Sequence, residues 1–194
     1  LILFMALVGP AAVVKGTAPE AAPFASPLPP VGESGLSFAY DRTIGQNETP
    51  YLADNQHLNQ PSGLYRDPAT GDIYVVENRG SRVIKYNASG VYQMQIGKPG
   101  VSYQGEGILD HASDAALDAA GRIWVAEYSH LTQFNQQGEQ VQNLPGEEPW
   151  RTGSEHGRFD EVAGVAFDTA GHLFVSDRWN HRVEVYTFDA ASNT

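Results

Sequence analysis

Three seven-residue runs in this chain repeat in register. "GDIYVVE" (Gly71–Glu77), "GRIWVAE" (Gly121–Glu127) and "GHLFVSD" (Gly171–Asp177) stand 50 residues apart, each a glycine, a polar residue, four positions dominated by apolar side chains, and an acid. A glycine turn leading into a short, nearly continuous apolar run is the pattern of a strand covered on both faces. Upstream of each lies a second strand, "SGLYRD" (Ser62–Asp67), "SDAALD" (Ser113–Asp118) and "AGVAFD" (Ala163–Asp168), joined to the first by "PATG", "AAG" or "TAG". Glycine accepts the positive φ of such hairpin turns, and Asp67, Asp118 and Asp168 are placed to bond nearby backbone amides. Leu58, Leu109 and Phe159 supply an apolar residue ahead of each unit.

A third strand follows in "RVIKY" (Arg82–Tyr86), "LTQF" (Leu131–Phe134) and "RVEVY" (Arg182–Tyr186), and a fourth in "GVYQMQIG" (Gly90–Gly97), with "FAYDRTIG" (Phe38–Gly45) as its counterpart. Four short antiparallel strands recurring at a period near 50 predict an all-β chain, a β-propeller of four-stranded blades, with about three blades present over units 57–100, 107–146 and 157–194. A single blade cannot bury both faces, so its neighbours must cover it.

The stretch "FDEVAGVAFDTAGHLFVSDRWNHRVEVY" resembles the NHL-repeat family, including Asn180, His181 and Arg182. The first unit keeps Pro61, Gly63, Gly71 and Arg82, with Gly80 and Ser81 in place of the Asn-His pair. In the middle unit the loop "EYSHL" is two residues shorter and the arginine is lost. The resemblance implies a six-bladed type of ring of which this chain holds part, or else two half-rings closing as a homodimer. It leaves function open, because such propellers include binding scaffolds, RNA-binding domains and a lyase.

Residues 1–25, "LILFMALVGPAAVVKGTAPEAAPFA", read as a signal peptide or N-terminal anchor with a truncated start, and residues 26–36 as a Pro/Ala/Gly-rich linker. The propeller, 37–194, is then expected outside the cytoplasm, secreted, periplasmic or at the cell surface, touching a membrane only through such an anchor. A formal charge of -11 disfavours nucleic acid as a partner, because the field repels a polyanion. With no cysteine, thiolate metal sites and cysteine nucleophiles are excluded.

Asp177 falls opposite Arg182 across a hairpin, and Glu77 opposite Arg82, so these four are expected to pair as blade scaffold. Trp179 and His181 at that hairpin tip, where the units differ, remain open to ligand. So do Trp150, Arg151 and His156 in the connection "PWRTGSEHGRFD". Glu106, Asp110, His111 and Asp114 in "YQGEGILDHASD" are the candidate cation ligands, for Ca2+ or Zn2+, although no HxH or HExxH spacing occurs. The expected role is a binding scaffold for a protein, glycan or small molecule. A metal-dependent propeller enzyme of the lyase or lactonase type, with its site at the central channel, is the alternative.

Overall fold

The computed structural model describes residues 41, 42, 44, 54–99 and 107–187. All its strands lie in the unit Thr43–Thr194. In chain order these are β1 (Pro61–Arg66), β2 (Ile73–Glu77), β3 (Arg82–Tyr86), β4 (Tyr92–Gly97), β5 (Asp114–Leu117), β6 (Ile123–Ala126), β7 (Leu131–Phe134), β8 (Gln140–Leu144), β9 (Val162–Phe167), β10 (His172–Asp177) and β11 (Arg182–Thr187). They form three antiparallel meanders, β1-β2-β3-β4, β5-β6-β7-β8 and β9-β10-β11. Among the described residues no helix is long and apolar enough to cross a membrane. The N-terminal run 1–25 and the linker 26–36 lie outside the described residues, as does most of Phe38–Gly45.

Each first hairpin closes on the predicted Asp and Gly. Gly71, Gly121 and Gly171 have φ of 79°, 78° and 87°, a region open to glycine at little cost. Asp67, Asp118 and Asp168 each accept an amide two residues on, from Ala69 (2.8 Å), Ala120 (3.0 Å) and Ala170 (2.9 Å). β8 has no counterpart among the strands read from the sequence. "QVQNL" is an outer strand with few apolar residues, half-exposed along its length, so no periodic signal marks it.

The blades stack face to face. Tyr74, Val76, Val83 and Ile96 of the first meet Ala115, Leu117, Ile123, Val125 and Phe134 of the second, with Leu109 and Ala112 sealed between them. The opposite face of the second, Ala116, Trp124, Ala126 and Leu131, meets Val162, Val165, Leu173 and Val175 of the third, sealed by Phe159. Because successive side chains on a strand point to opposite faces, all-apolar β6 can serve both interfaces at once.

The innermost strands β1, β5 and β9 lie side by side. Ser62 Oγ donates to Ala112 O (3.3 Å), and Ser113 Oγ, one repeat on, donates to Val162 O (2.6 Å). Gly63 lets β1 and β5 approach closely, for a Cβ there would lie 2.7 Å from Ser113 O and 2.8 Å from Asp114 Cα. The free face of the third blade leaves Phe174, Val183 and Val185 exposed, the last two by 60% and 55%.

A candidate binding groove at the entrance of the inner strands

The acid ending the second strand of each blade organises the turn above it. Glu77 and Arg82, both fully buried, meet through Arg82 Nε to Oε2 (2.8 Å) and Nη2 to Oε1 (3.1 Å). The guanidinium also donates to Gln95 Oε1 (3.1 Å) and His57 O (3.0 Å). In the third blade Arg182 Nε donates to Asp177 Oδ2 (2.8 Å), and its other nitrogens to the carbonyls of Ser154 (2.7 Å), Glu155 (3.0 Å) and Arg158 (2.6 Å). Asp177 Oδ1 accepts the Asp160 amide (2.8 Å), so each charge clamps the hairpin and the incoming loop together.

The residue after each acid is Asn78, Tyr128 or Arg178, and the residue two before Ser62, Ser113 or Ala163 is Gln60, His111 or Glu161. Those last three share a left-handed backbone, with φ of 52°, 50° and 57°. Asn78 N donates to Gln60 O and Arg178 N to Glu161 O, while Tyr128 N donates to the O of Asp110, the residue before His111, each at 3.1 Å. Apart from Gln60, the residues at these two positions line an open groove of about 440 Å³, together with Ser62, Ser113, Val162 and Ala163.

Charged groups in and around the groove are paired. His111 Nδ1 lies 2.6 Å from Asp110 Oδ1, and Arg178 Nη1 lies 2.5 Å from Glu161 Oε1. The Trp179 indole N–H reaches the other oxygen of Glu161, and the Arg178 guanidinium sits 5.4 Å from the Trp179 ring centroid. Tyr128, 40% exposed, meets His111 edge-on at 6.4 Å. The Asp160 carboxylate beside the Tyr128 phenol raises its pKa. The groove thus offers aromatic surface beside donors and acceptors in fixed positions.

The structure distributes the residues singled out in the sequence unevenly. His111 lines the groove, with Asp110 behind it, and Trp179 flanks it through Glu161. Asp114 turns into the wall of the inner strands, where its Oδ2 accepts the Val165 amide (3.1 Å) and burial raises its pKa. Glu106 lies outside the described residues. Among the described residues no group of three or more His, Asp or Glu converges as a metal site. Trp150, Arg151 and His156 belong to the loop around Arg182, away from the groove lining. Arg151 pairs with Glu148 (3.4 Å) and His156 with Glu184 (3.2 Å). His181 completes the tight turn after Arg178 with φ 53°. Asn78, Tyr128, Glu161 and Arg178 escaped the sequence reading, although 78, 128 and 178 stand at the repeat's own spacing.

The model of the NHL repeat matches residues 159–186, the third blade with its entry loop. No curated protein matches the chain. Among solved structures, hydrazine synthase of Kuenenia stuttgartiensis is similar with TM-score 0.51 at 12% identity, over 77% of this chain and 37% of that one. A gluconolactonase from Xanthomonas campestris aligns with TM-score 0.42 at 18% identity, over 62% of this chain and 36% of that one. Virginiamycin B lyase from Staphylococcus aureus aligns with TM-score 0.42 at 10% identity, over 67% and 42%. The chain spans less than half the length of each. These likenesses concern the fold alone: the protein is all-β, built of propeller-type blades, with an NHL repeat in the third.

Proposed function

We propose that this protein is a binding propeller whose ligand sits in the groove between Asn78, His111, Tyr128, Glu161 and Arg178. The carrying observation is that the groove wall is made from the positions where the repeats stop agreeing. Asn, Tyr and Arg occupy one register position, and Gln, His and Glu another, where all three units share a left-handed φ. Structural positions of the same repeats, such as the strand acids and turn glycines, keep their character. Binding residues on loops held by a rigid scaffold follow this division. The acidic charge and the apolar run at 1–25 support a location outside the cytoplasm and a ligand other than nucleic acid.

The test is a thermal-shift screen of the full chain against neutral oligosaccharides, peptides and small metabolites, repeated with Tyr128→Ala, Arg178→Ala and His156→Ala. A ligand whose stabilisation disappears in the two groove variants and persists in His156→Ala supports the groove. A panel with no stabilising compound, or one whose effect ignores Tyr128 and Arg178, overturns it. The enzymatic alternative draws on the Asp110–His111 contact at the groove wall. Calorimetric titration with Ca2+ and Zn2+ checks it, and absence of heat would remove a metal-dependent lyase or lactonase.

A further inference from the structure

Glu127 occupies in the second blade the place of Glu77 and Asp177, and like Asp177 it accepts an amide of the incoming loop: its Oε2 takes the Asp110 N–H at 2.5 Å. What differs is its counter-ion. The hairpin is shorter and the arginine is gone, so β7 sets Thr132 against the other oxygen, Oε1. Glu127 is fully buried. The titratable groups facing it are Asp110 in the incoming loop and His130 on its own hairpin, whose Nε2 is 3.4 Å from Oε1.

The hydrogen-bond directions around it can be read from a fixed end. The Gly107 backbone N–H can only donate, so it orients Gln140 with Oε1 toward it (3.0 Å). Gln140 Nε2 then donates to Asn143 Oδ1 (3.1 Å), which makes that oxygen an acceptor. Thr132 Oγ1 lies 3.0 Å from the same oxygen and gives it its only proton. The Thr132 oxygen is left to accept, and the group facing it is Glu127 Oε1. Only a carboxylic acid O–H satisfies that contact, because a carboxylate would set two acceptors against each other.

We propose that Glu127 is carried as the neutral acid in the folded protein and is a pH-sensitive tie on the Asp110–His111 wall of the groove. Protonated, it donates to Thr132 and accepts from the Asp110 amide. Ionised, it is a buried charge without a cation, relieved by opening the Asp110 loop to water. Its regulatory meaning rests on the groove being the binding site. Burial pushes the Glu127 carboxyl up to about 8 against the lowering pull of the contacts to Thr132 and the Asp110 amide, and burial lowers the His130 imidazole to about 4.

The pH dependence has a definite sign. Glu127 is raised from 4.5, so its stabilising contribution is full below 4.5 and is lost as pH rises to about 8. His130 is lowered from 6.5, so its contribution is full above 6.5 and is lost toward about 4. The two slopes oppose each other between 4.5 and 6.5, leaving the loss from Glu127 visible between 6.5 and 8.

Glu127→Gln preserves the neutral pattern, with the amide oxygen accepting from Asp110 and the amide nitrogen donating to Thr132. The full-length variant should melt with the parent at about pH 4 and progressively above it as pH rises to about 9, a window set by the folded and unfolded pKa values. In the parent alone, the amides of Asp110 and His111 should lose hydrogen-exchange protection, corrected for intrinsic rates, as the Glu127 carboxyl carbon titrates by NMR. A carboxyl titrating near the ordinary glutamate value overturns the proposal. So does a Gln variant destabilised equally at every pH, or a titration near 8 that leaves the two amides protected. No readout uses a ligand, so a failure of the groove to bind and a failure of Glu127 to titrate are separate results.

Discussion

Arg82→Ala should be among the most damaging single changes in the first blade. Arg82 is 1% exposed and Glu77 0%. Truncation removes four hydrogen bonds and leaves behind a carboxylate, the Gln95 side-chain carbonyl and the His57 carbonyl, all without their donor. Removing one partner of a buried ion pair costs about 3–5 kcal/mol, mostly through the stranded charge. At roughly 2–4 °C per kcal/mol for a domain of this size, the melting temperature should fall by about 6–20 °C. Arg182→Ala should cost less, roughly 1–3 kcal/mol, because its side chain is 23% exposed and water can replace part of what is lost. The double variant Glu77→Leu, Arg82→Met separates charge from packing: with both ionic partners replaced by apolar groups it should recover much of the loss. Urea unfolding followed through Trp124, buried between the second and third blades, measures all four proteins. An Arg82→Ala variant within about 1 kcal/mol of the parent would refute the account, since a buried pair cannot lose its cation so cheaply.

Three further outcomes follow from close contacts and open surface. Gly63→Ala should cost about 1–3 kcal/mol, because the new Cβ meets backbone atoms of Ser113 and Asp114 at 2.7 and 2.8 Å, whereas Gly164→Ala, with Ser176 Oγ nearest at 3.1 Å, should be milder; denaturation midpoints decide between them. Asp118→Ala should lose roughly 2–3 kcal/mol by leaving the buried Trp124 indole N–H without its acceptor (3.1 Å) along with the turn bonds, and Asp168→Ala, at an exposed turn, under about 1 kcal/mol; indole fluorescence and unfolding curves report both. The exposed Phe174, Val183 and Val185 occupy on the third blade the face that covers the next blade at the other two interfaces, so the 194-residue chain should self-associate through it. Val183→Lys with Val185→Lys should shift sedimentation toward a 21.0 kDa monomer, and an unchanged profile would place the contact elsewhere.

The parts of the fold visible in the sequence are those that a repeat cannot vary. Gly71, Gly121 and Gly171 mark the turns because only glycine takes their φ cheaply; the strands after the first two are apolar because both of their faces are covered, while β10 covers the second blade with Leu173 and Val175 and leaves Phe174 exposed. β8 lacks such a mark, since an outer strand answers to one neighbour and to water, and "QVQNL" satisfies both. The pairing of Glu77 with Arg82 and of Asp177 with Arg182 was legible from hairpin length alone, as the register Glu77↔Arg82 and Asp177↔Arg182 shows. Its wider reach was not: the donation from Arg182 to three loop carbonyls depends on a connection whose path no periodicity encodes.

The candidate site was partly hidden for a related reason. Chemical type points to the connections that carry a histidine or a tryptophan, and so to Trp150, Arg151 and His156, which belong to the loop around Arg182. Selecting by register would have chosen differently. Asn78, Tyr128 and Arg178 follow the strand acid at a spacing of 50, where the backbone amide bonds Gln60, Asp110 or Glu161 while the side chains differ: Asn78 Nδ2 donates to the carbonyls of His111 and Ala112, and Arg178 pairs with Glu161. A position whose backbone is constrained and whose side chain varies from unit to unit is where a repeat protein can acquire a ligand without weakening its core. Glu127 is the converse case. There the acid is retained while its arginine is not, so a proton neutralises the charge in place of a cation, and a dependence on pH follows. Departures from the repeat therefore carry two kinds of information in this chain: a changed loop residue marks a surface available for recognition, and a changed core partner marks a change in protonation.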